Sequence, residues 1–156
     1  SVVNTWSAWD DAHEMIYTYA TVRVQRYFGE ATGPDTLVVR EVGGTVDGYT
    51  MEAVGFPMVR SNEEVVLFLA PWDDGGAELR IHAFNQGKFL VRNRGGKEFA
   101  VADPVHQGEA REGRSRIEVN SLDDDSPALS IDELAGMIEA ARAGVSRTTD
   151  FQTDRQ

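Results

Sequence analysis

Apolar and polar residues alternate with a period of two over much of the first hundred positions, the periodicity of half-buried strands. Residues 2–9 carry valines, a threonine and two tryptophans in this manner. The run IYTYATVRVQRYF, 16–28, shows it most clearly: Thr18, Ala20, Val22 and Val24 fall on one side, and Tyr17, Tyr19, Thr21, Arg23 and Gln25 on the other. Such a strand has one buried face and one partly wet face. TLVVREV, 36–42, is a further strand closed by Gly43-Gly44, and Asp47-Gly48 marks a turn between two short extended pieces in 45–54. AELRIHAF (77–84), KFLVRN (88–93) and KEFAVA (97–102) complete a meander of hairpins, the last two joined at Arg94-Gly95-Gly96. DDAHE (10–14), GEATGPD (29–35) and PWDDGG (71–76) read as turns and loops, and Pro57 argues against a central strand in 55–64.

One segment breaks the alternation. Val65 to Ala70 is apolar at every position, directly after Asn62-Glu63-Glu64. It is too short for an ordinary helix, and its β-branched residues favour a strand. A strand apolar on both sides predicts a place in the middle of a closed sheet, with one face toward a barrel interior and the other under a helix or long loop.

Residues 103–129 are polar and form a linker, with RIEVNS, 116–121, as a candidate short edge strand. SIDELAGMIEAARAG, 130–144, predicts a helix that packs on the barrel. Ser130 is its N-cap and Glu133 completes a capping box. Ile131, Leu134, Met137, Ile138 and Ala141 make its apolar stripe, and Gly144 is its stop. Residues 145–156 read as a frayed tail. Seven or eight short strands with frequent glycine turns in residues 1–102, followed by one helix, predict a mainly β domain shaped as a small antiparallel barrel or sandwich.

The order of these elements resembles a group of bacterial exported proteins. YTYATVRVQRYF leads through a Gly-Pro loop into TLVVREVGG, and GFPMVRSNEEVVLFLAP leads into GGAELRIHAFNQGKFLV. More distantly the chain is similar to the oligonucleotide/oligosaccharide-type (OB) barrel of netrin-like modules and tissue inhibitors of metalloproteinases, whose Glu-led apolar run is matched by Ser61 to Phe68. The likeness spans residues 1–92 and implies a small OB-like barrel, closed or partly open, with an extracytoplasmic address. Those inhibitors chelate zinc through an N-terminal cysteine, and this chain has no cysteine, so that mechanism does not carry over.

Composition narrows the picture. A chain of 156 residues, 41% hydrophobic, is one domain with a real core. Fifteen Lys and Arg against 26 Asp and Glu give a net charge of -11, a field that repels a phosphate backbone, so no nucleic-acid partner is expected. No apolar run approaches the length of a membrane span, so no membrane insertion is expected of this chain. The absence of cysteine removes disulfides, thiolate catalysis and cysteine-ligated zinc. The chain opens SVVNTWSAW without Met or a signal peptide, which reads as a mature or trimmed product whose leader lies outside the given sequence.

Three groups carry candidate chemistry. Trp6, Trp9, Tyr17 and Tyr19, with Tyr27 and Trp72, form an aromatic set able to stack on a saccharide or anchor a protein; barrel core and cross-strand pairing are the competing reading. Asp10, His13 and Glu14 offer oxygen and imidazole ligands for a divalent cation. They match neither the calcium-loop pattern nor H-E-x-x-H, and a solvated hairpin tip is the reading they favour. His82 shares a face with Arg80 and Phe84 and is a candidate general base without an adjacent carboxylate or nucleophile. The run Asp123 to Asp125 reads as an exposed linker. No phosphate loop or nucleophile elbow is present. The expectation is a non-enzymatic exported binding or accessory module without a cofactor, recognising a protein or saccharide through its aromatic face. The alternative is a metal-dependent or hydrolytic enzyme using Asp10, His13 and Glu14 or His82.

Overall fold

The computed structural model of the chain describes residues 1–103 and 128–150. Eleven strands and one helix are formed by these residues: β1 (Val2–Trp9), β2 (Ile16–Arg23), β3 (Thr36–Val42), β4 (Gly44–Val46), β5 (Tyr49–Met51), β6 (Val65–Leu67), β7 (Leu69–Pro71), β8 (Leu79–Ile81), β9 (Lys88–Arg94), β10 (Lys97–Ala102), β11 (Ala128–Ser130) and α1 (Ile131–Asp150). The candidate edge strand at 116–121 and the Asp123 to Asp125 run lie outside the described residues.

The strands make two main sheets and a hairpin. The first sheet has the order β1-β2-β3-β8-β7 and the second β11-β10-β9-β6, while β4 and β5 pair alone around Asp47-Gly48. The fold is mainly β with a single C-terminal helix, as the alternation predicts. Every neighbouring pair is antiparallel except β3 and β8, which run parallel at Val39 and Leu79.

The sheets do not close into a barrel. β1 and β7 are free edges of the first, β11 and β6 of the second. Val2 is stitched to the lead-in of β6 by two hydrogen bonds, Val2 N–H to the Glu63 carbonyl at 2.9 Å and Asn62 N–H to the Val2 carbonyl at 2.8 Å. These bonds do not extend into a ladder.

The apolar hexapeptide is where expectation and structure part. It is two strands, not one, and it is the middle of neither sheet: Val65–Leu67 borders the second sheet and Leu69–Pro71 the first, with the exchange at Phe68. Phe68 N–H donates to the Gly87 carbonyl at 2.9 Å, and the Phe68 carbonyl accepts from His82 N–H at 2.7 Å, so the exchange point is held from both sides. The expected cover on both faces is only partial: Val66 is buried, and the other five residues are half-buried. Val65, Leu67 and Leu69 pack against a cluster of Val2, Ala20, Val22, Val39, Val59 and Ile81. Val66 and Phe68 belong to a second cluster with Ala100 and Leu134 of α1. A strand serving two cores needs apolar residues at consecutive positions, and Pro71 is tolerated because β7 is an edge.

Other boundaries also move. β2 ends at Arg23 rather than continuing to residue 28. The expected strand 77–84 shortens to β8 because Ala83 and Phe84 take positive φ values of 57° and 55°, turning the chain into a 3₁₀ turn, Phe84–Gly87. The capping box forms as predicted: Glu133 N–H donates to Ser130 Oγ at 3.3 Å and Ser130 N–H to Glu133 Oε2 at 2.9 Å. The helix nevertheless runs past Gly144 to Asp150. Leu134 and Ala135 are its buried positions, and Met137, expected inside, is 56% exposed.

Two buried ionisable side chains tie elements together. Lys88 opens β9 with no exposed surface, and its ammonium meets Glu63 at 2.8 Å and Asp103 at 2.9 Å. A third hydrogen bond, to the Met58 carbonyl, completes the three donors of the group. The segment 52–64, poor in regular structure, is thereby tied to the second sheet. Glu41 on β3 is 4% exposed and accepts from Ile81 N–H of β8.

Candidate functional site

Register on β1, β2 and β3 decides which aromatic side chains share a face. Trp6 stands opposite Tyr19, and Tyr19 opposite Arg40, so the three make one cross-strand row. By the same period-two rule Tyr17 shares their face. This is the outer face of the sheet, opposite the side on which Ala20, Val22 and Val39 are buried. Trp6 lies flat over Tyr19 with ring centroids 5.3 Å apart and planes 10° from parallel. At 42% exposure, Trp6 keeps much of its ring in solvent.

The row continues onto the turn after β7. Trp72 folds back across the sheet and its Nε1–H donates to the Arg40 carbonyl at 3.2 Å. The Arg40 guanidinium lies over Trp72 at 4.6 Å and over Tyr17 at 5.1 Å, and it forms an ion pair with Asp74. That hydrogen bond from Arg40 holds the Asp74 carboxyl below the usual carboxylate range. Arg40 Nε is buried without a hydrogen-bond partner among the described residues. The result is a half-exposed platform of stacked rings, flanked by a fixed guanidinium and a carboxylate.

Trp9 is not part of it. It stands three positions after Trp6, which puts the two side chains on opposite faces of β1. Trp9 packs edge-on against Tyr49 of the β4–β5 hairpin, ring centroids 5.9 Å apart, and stacks on His13 at 5.2 Å. The four aromatic residues grouped by proximity in sequence are therefore split, with Trp6, Tyr17 and Tyr19 on the platform and Trp9 anchoring the hairpin.

Asp10, His13 and Glu14 are not brought together as ligands. The Asp10 carboxylate accepts from Glu14 N–H at 2.8 Å and Met15 N–H at 3.1 Å, closing the turn between β1 and β2. The backbone N–H groups of Met15 and Glu14 hold its pKa below the ordinary value. His13 sits at a φ of 60° with its ring on Trp9. Among the described residues no three His, Asp or Glu side chains converge to hold a metal ion. His82 is exposed, on the turn after β8. No described helix is long and apolar enough to cross a membrane.

A cleft of about 850 Å³ lies where the two sheets diverge, lined by residues of β2, β3, β6 to β9, the loop 24–34 and α1. The cleft opens to the surface and much of its lining is apolar.

Lys88, Glu41, Arg40 and the cleft are the features that sequence reasoning missed. Arg40 gave no signal, because its place opposite Tyr19 depends on β2 ending at Arg23, five residues before its alternation stops. Comparison with family models, curated proteins and solved structures finds no match to this chain.

Proposed function

We propose that this chain is a non-enzymatic binding module that recognises a saccharide on the outer face of its first sheet. The carrying observation is the exposed Trp6 ring stacked on Tyr19 in register with Arg40. An open indole face packs on the apolar side of a sugar ring. The Asp74 carboxylate, half-exposed and held by the Arg40 guanidinium, supplies an acceptor for hydroxyl groups. The same residue types, Trp, Tyr and Arg, are those that anchor protein partners, which makes a protein the second reading of this face. An enzymatic reading has less support, because Asp10 is engaged in its turn and no catalytic partner is assembled around His82 among the described residues. The OB-like reading of the fold and the exported, extracytoplasmic setting rest on the resemblance of residues 1–92 alone.

Calorimetric titration with a panel of neutral oligosaccharides tests the proposal. At least one should bind the parent chain, and Trp6→Ala should abolish that binding while leaving the far-ultraviolet spectrum unchanged. Silence across the panel, joined to a Trp6-dependent interaction with a purified protein, would transfer the face to the second reading.

A further inference from the structure

We infer that the cleft between the sheets is a separate binding site for a single-chain lipid with an uncharged head. Its volume, about 850 Å³, lies within the roughly 300–1,000 Å³ of small-molecule sites. The hydrophobic interior is divided into two clusters instead of one, and partly buried members of both line the cleft. The cleft therefore borders both clusters, with apolar side chains from each on its walls.

The walls select the chemistry. Val22, Leu37, Leu67, Leu69 and Leu79 come from the first sheet and the crossing segment, and Phe68, Val91, Ile131 and Ile138 from the opposite side. None of these side chains carries a hydrogen-bonding group, so the part of a ligand that reaches them is hydrocarbon. Charged lining groups are the Ser1 ammonium, Arg23 and Arg26 against Glu64, Glu78 and Glu98. The Ser1 ammonium is paired with Glu64 at 3.7 Å and Arg26 with Asp132 at 3.6 Å, which leaves Arg23 against the carboxylates of Glu78 and Glu98. In a chain of net charge -11 this border disfavours an anionic head and accepts an uncharged one through hydrogen bonds.

The test uses the full chain and N-phenyl-1-naphthylamine, an uncharged fluorophore that brightens in apolar surroundings. Its signal should saturate at one molecule per chain. 1-Monopalmitoylglycerol, below its aggregation threshold, should displace it, and palmitate should compete about tenfold less well, the factor that 1.4 kcal/mol of unfavourable charge produces. Leu37→Trp, which fills the cleft, and Leu67→Gln, which wets it, should each weaken uptake several-fold. Because either variant can disturb folding, methyl resonances of Leu37, Leu67, Leu69 and Leu79 are followed in the parent protein, where they should shift on saturation with the monoacylglycerol. Unsaturable uptake, stationary cleft methyls at saturation, or capture of the chain by phosphatidylcholine vesicles without uptake of the monomeric lipid would each overturn the inference.

Discussion

The ammonium of Lys88 and the carboxylate of Glu63 are 2.8 Å apart, and the lysine has no surface in solvent. Replacing Lys88 by Met keeps most of its volume but leaves Glu63 and Asp103 facing each other without a cation. Removing one partner of a buried ionic group costs about 3–5 kcal/mol. Urea unfolding of Lys88→Met should show a loss of that order, and a change below about 1 kcal/mol would mean that the cluster rearranges without strain.

Glu41 predicts a pH dependence of a particular sign. Burial pushes its carboxyl from 4.5 up to about 7, with the Ile81 N–H and the charge of Arg80 pulling back part of the way. Between those values the folded chain keeps a proton that the unfolded chain has released. This contribution is fully present below about pH 4.5 and is lost as pH rises through 7, and it amounts to at most about 3 kcal/mol at 1.36 kcal/mol per unit. Asp10, Asp74 and Glu133, all shifted downward, act at the acid side of this window and in the opposite sense. Glu41→Gln should flatten the decline between pH 5 and 8 and exceed the parent in stability at pH 8. Parallel stability curves for the two proteins would refute the assignment.

Ser130→Ala removes the capping box and should cost about 1 kcal/mol. The loss falls first on α1, so amide exchange in residues 131–138 should accelerate more than exchange in β2 and β3. Uniform acceleration would show that the helix and sheets open as one unit.

Gly87 is the last residue of the 3₁₀ turn, and a Cβ placed there would run into the His82 carbonyl. Since that oxygen is backbone, an ordinary side-chain adjustment cannot relieve the clash. Gly87→Ala should destabilise by about 1–3 kcal/mol or more, with the first disturbance at Phe68, whose N–H bonds to Gly87. A thermal midpoint equal to that of the parent would contradict the contact.

The β9–β10 turn offers a change in the other direction. Arg94 pairs with Lys97 across Gly95 and Gly96, whose φ values are 58° and 82°. Asn-Gly is the favoured pair for a two-residue turn of this hand, and nothing lies within 4 Å of a Cβ at Gly95. Gly95→Asn should stabilise by about 0.5 kcal/mol through the unfolded chain, readable as a higher urea midpoint.

Local signals were legible and long-range ones were not. Alternation located β1 and β3 to the residue, because period two is written in the chain itself. The capping box at Ser130 and Glu133 was equally readable, being a contact over three positions. β2 was begun correctly and ended late, since Val24 and Gln25 continue the alternation after pairing has stopped. The platform was half legible: Tyr17 and Tyr19 follow from their shared parity, whereas Trp9 was joined to Trp6 on closeness alone, against that parity. Lys88 gave no warning, because a lysine at the start of a strand looks solvent-exposed until Glu63 and Asp103 arrive from elsewhere. The division of Val65 to Ala70 between two sheets was hidden for the same reason: six apolar residues fit one strand with two covered faces as well as two strands with two cores.

The crossing at Phe68 sets a limit on chain length. β6 takes its inward and outward positions from β9, and β7 takes its own from β8, yet a single peptide separates them. Inserting or deleting one residue between Val65 and Pro71 would invert one strand's side chains relative to its sheet while the other stayed in phase. This heptapeptide should therefore accept many exchanges of one aliphatic side chain for another and no alteration in its number of residues.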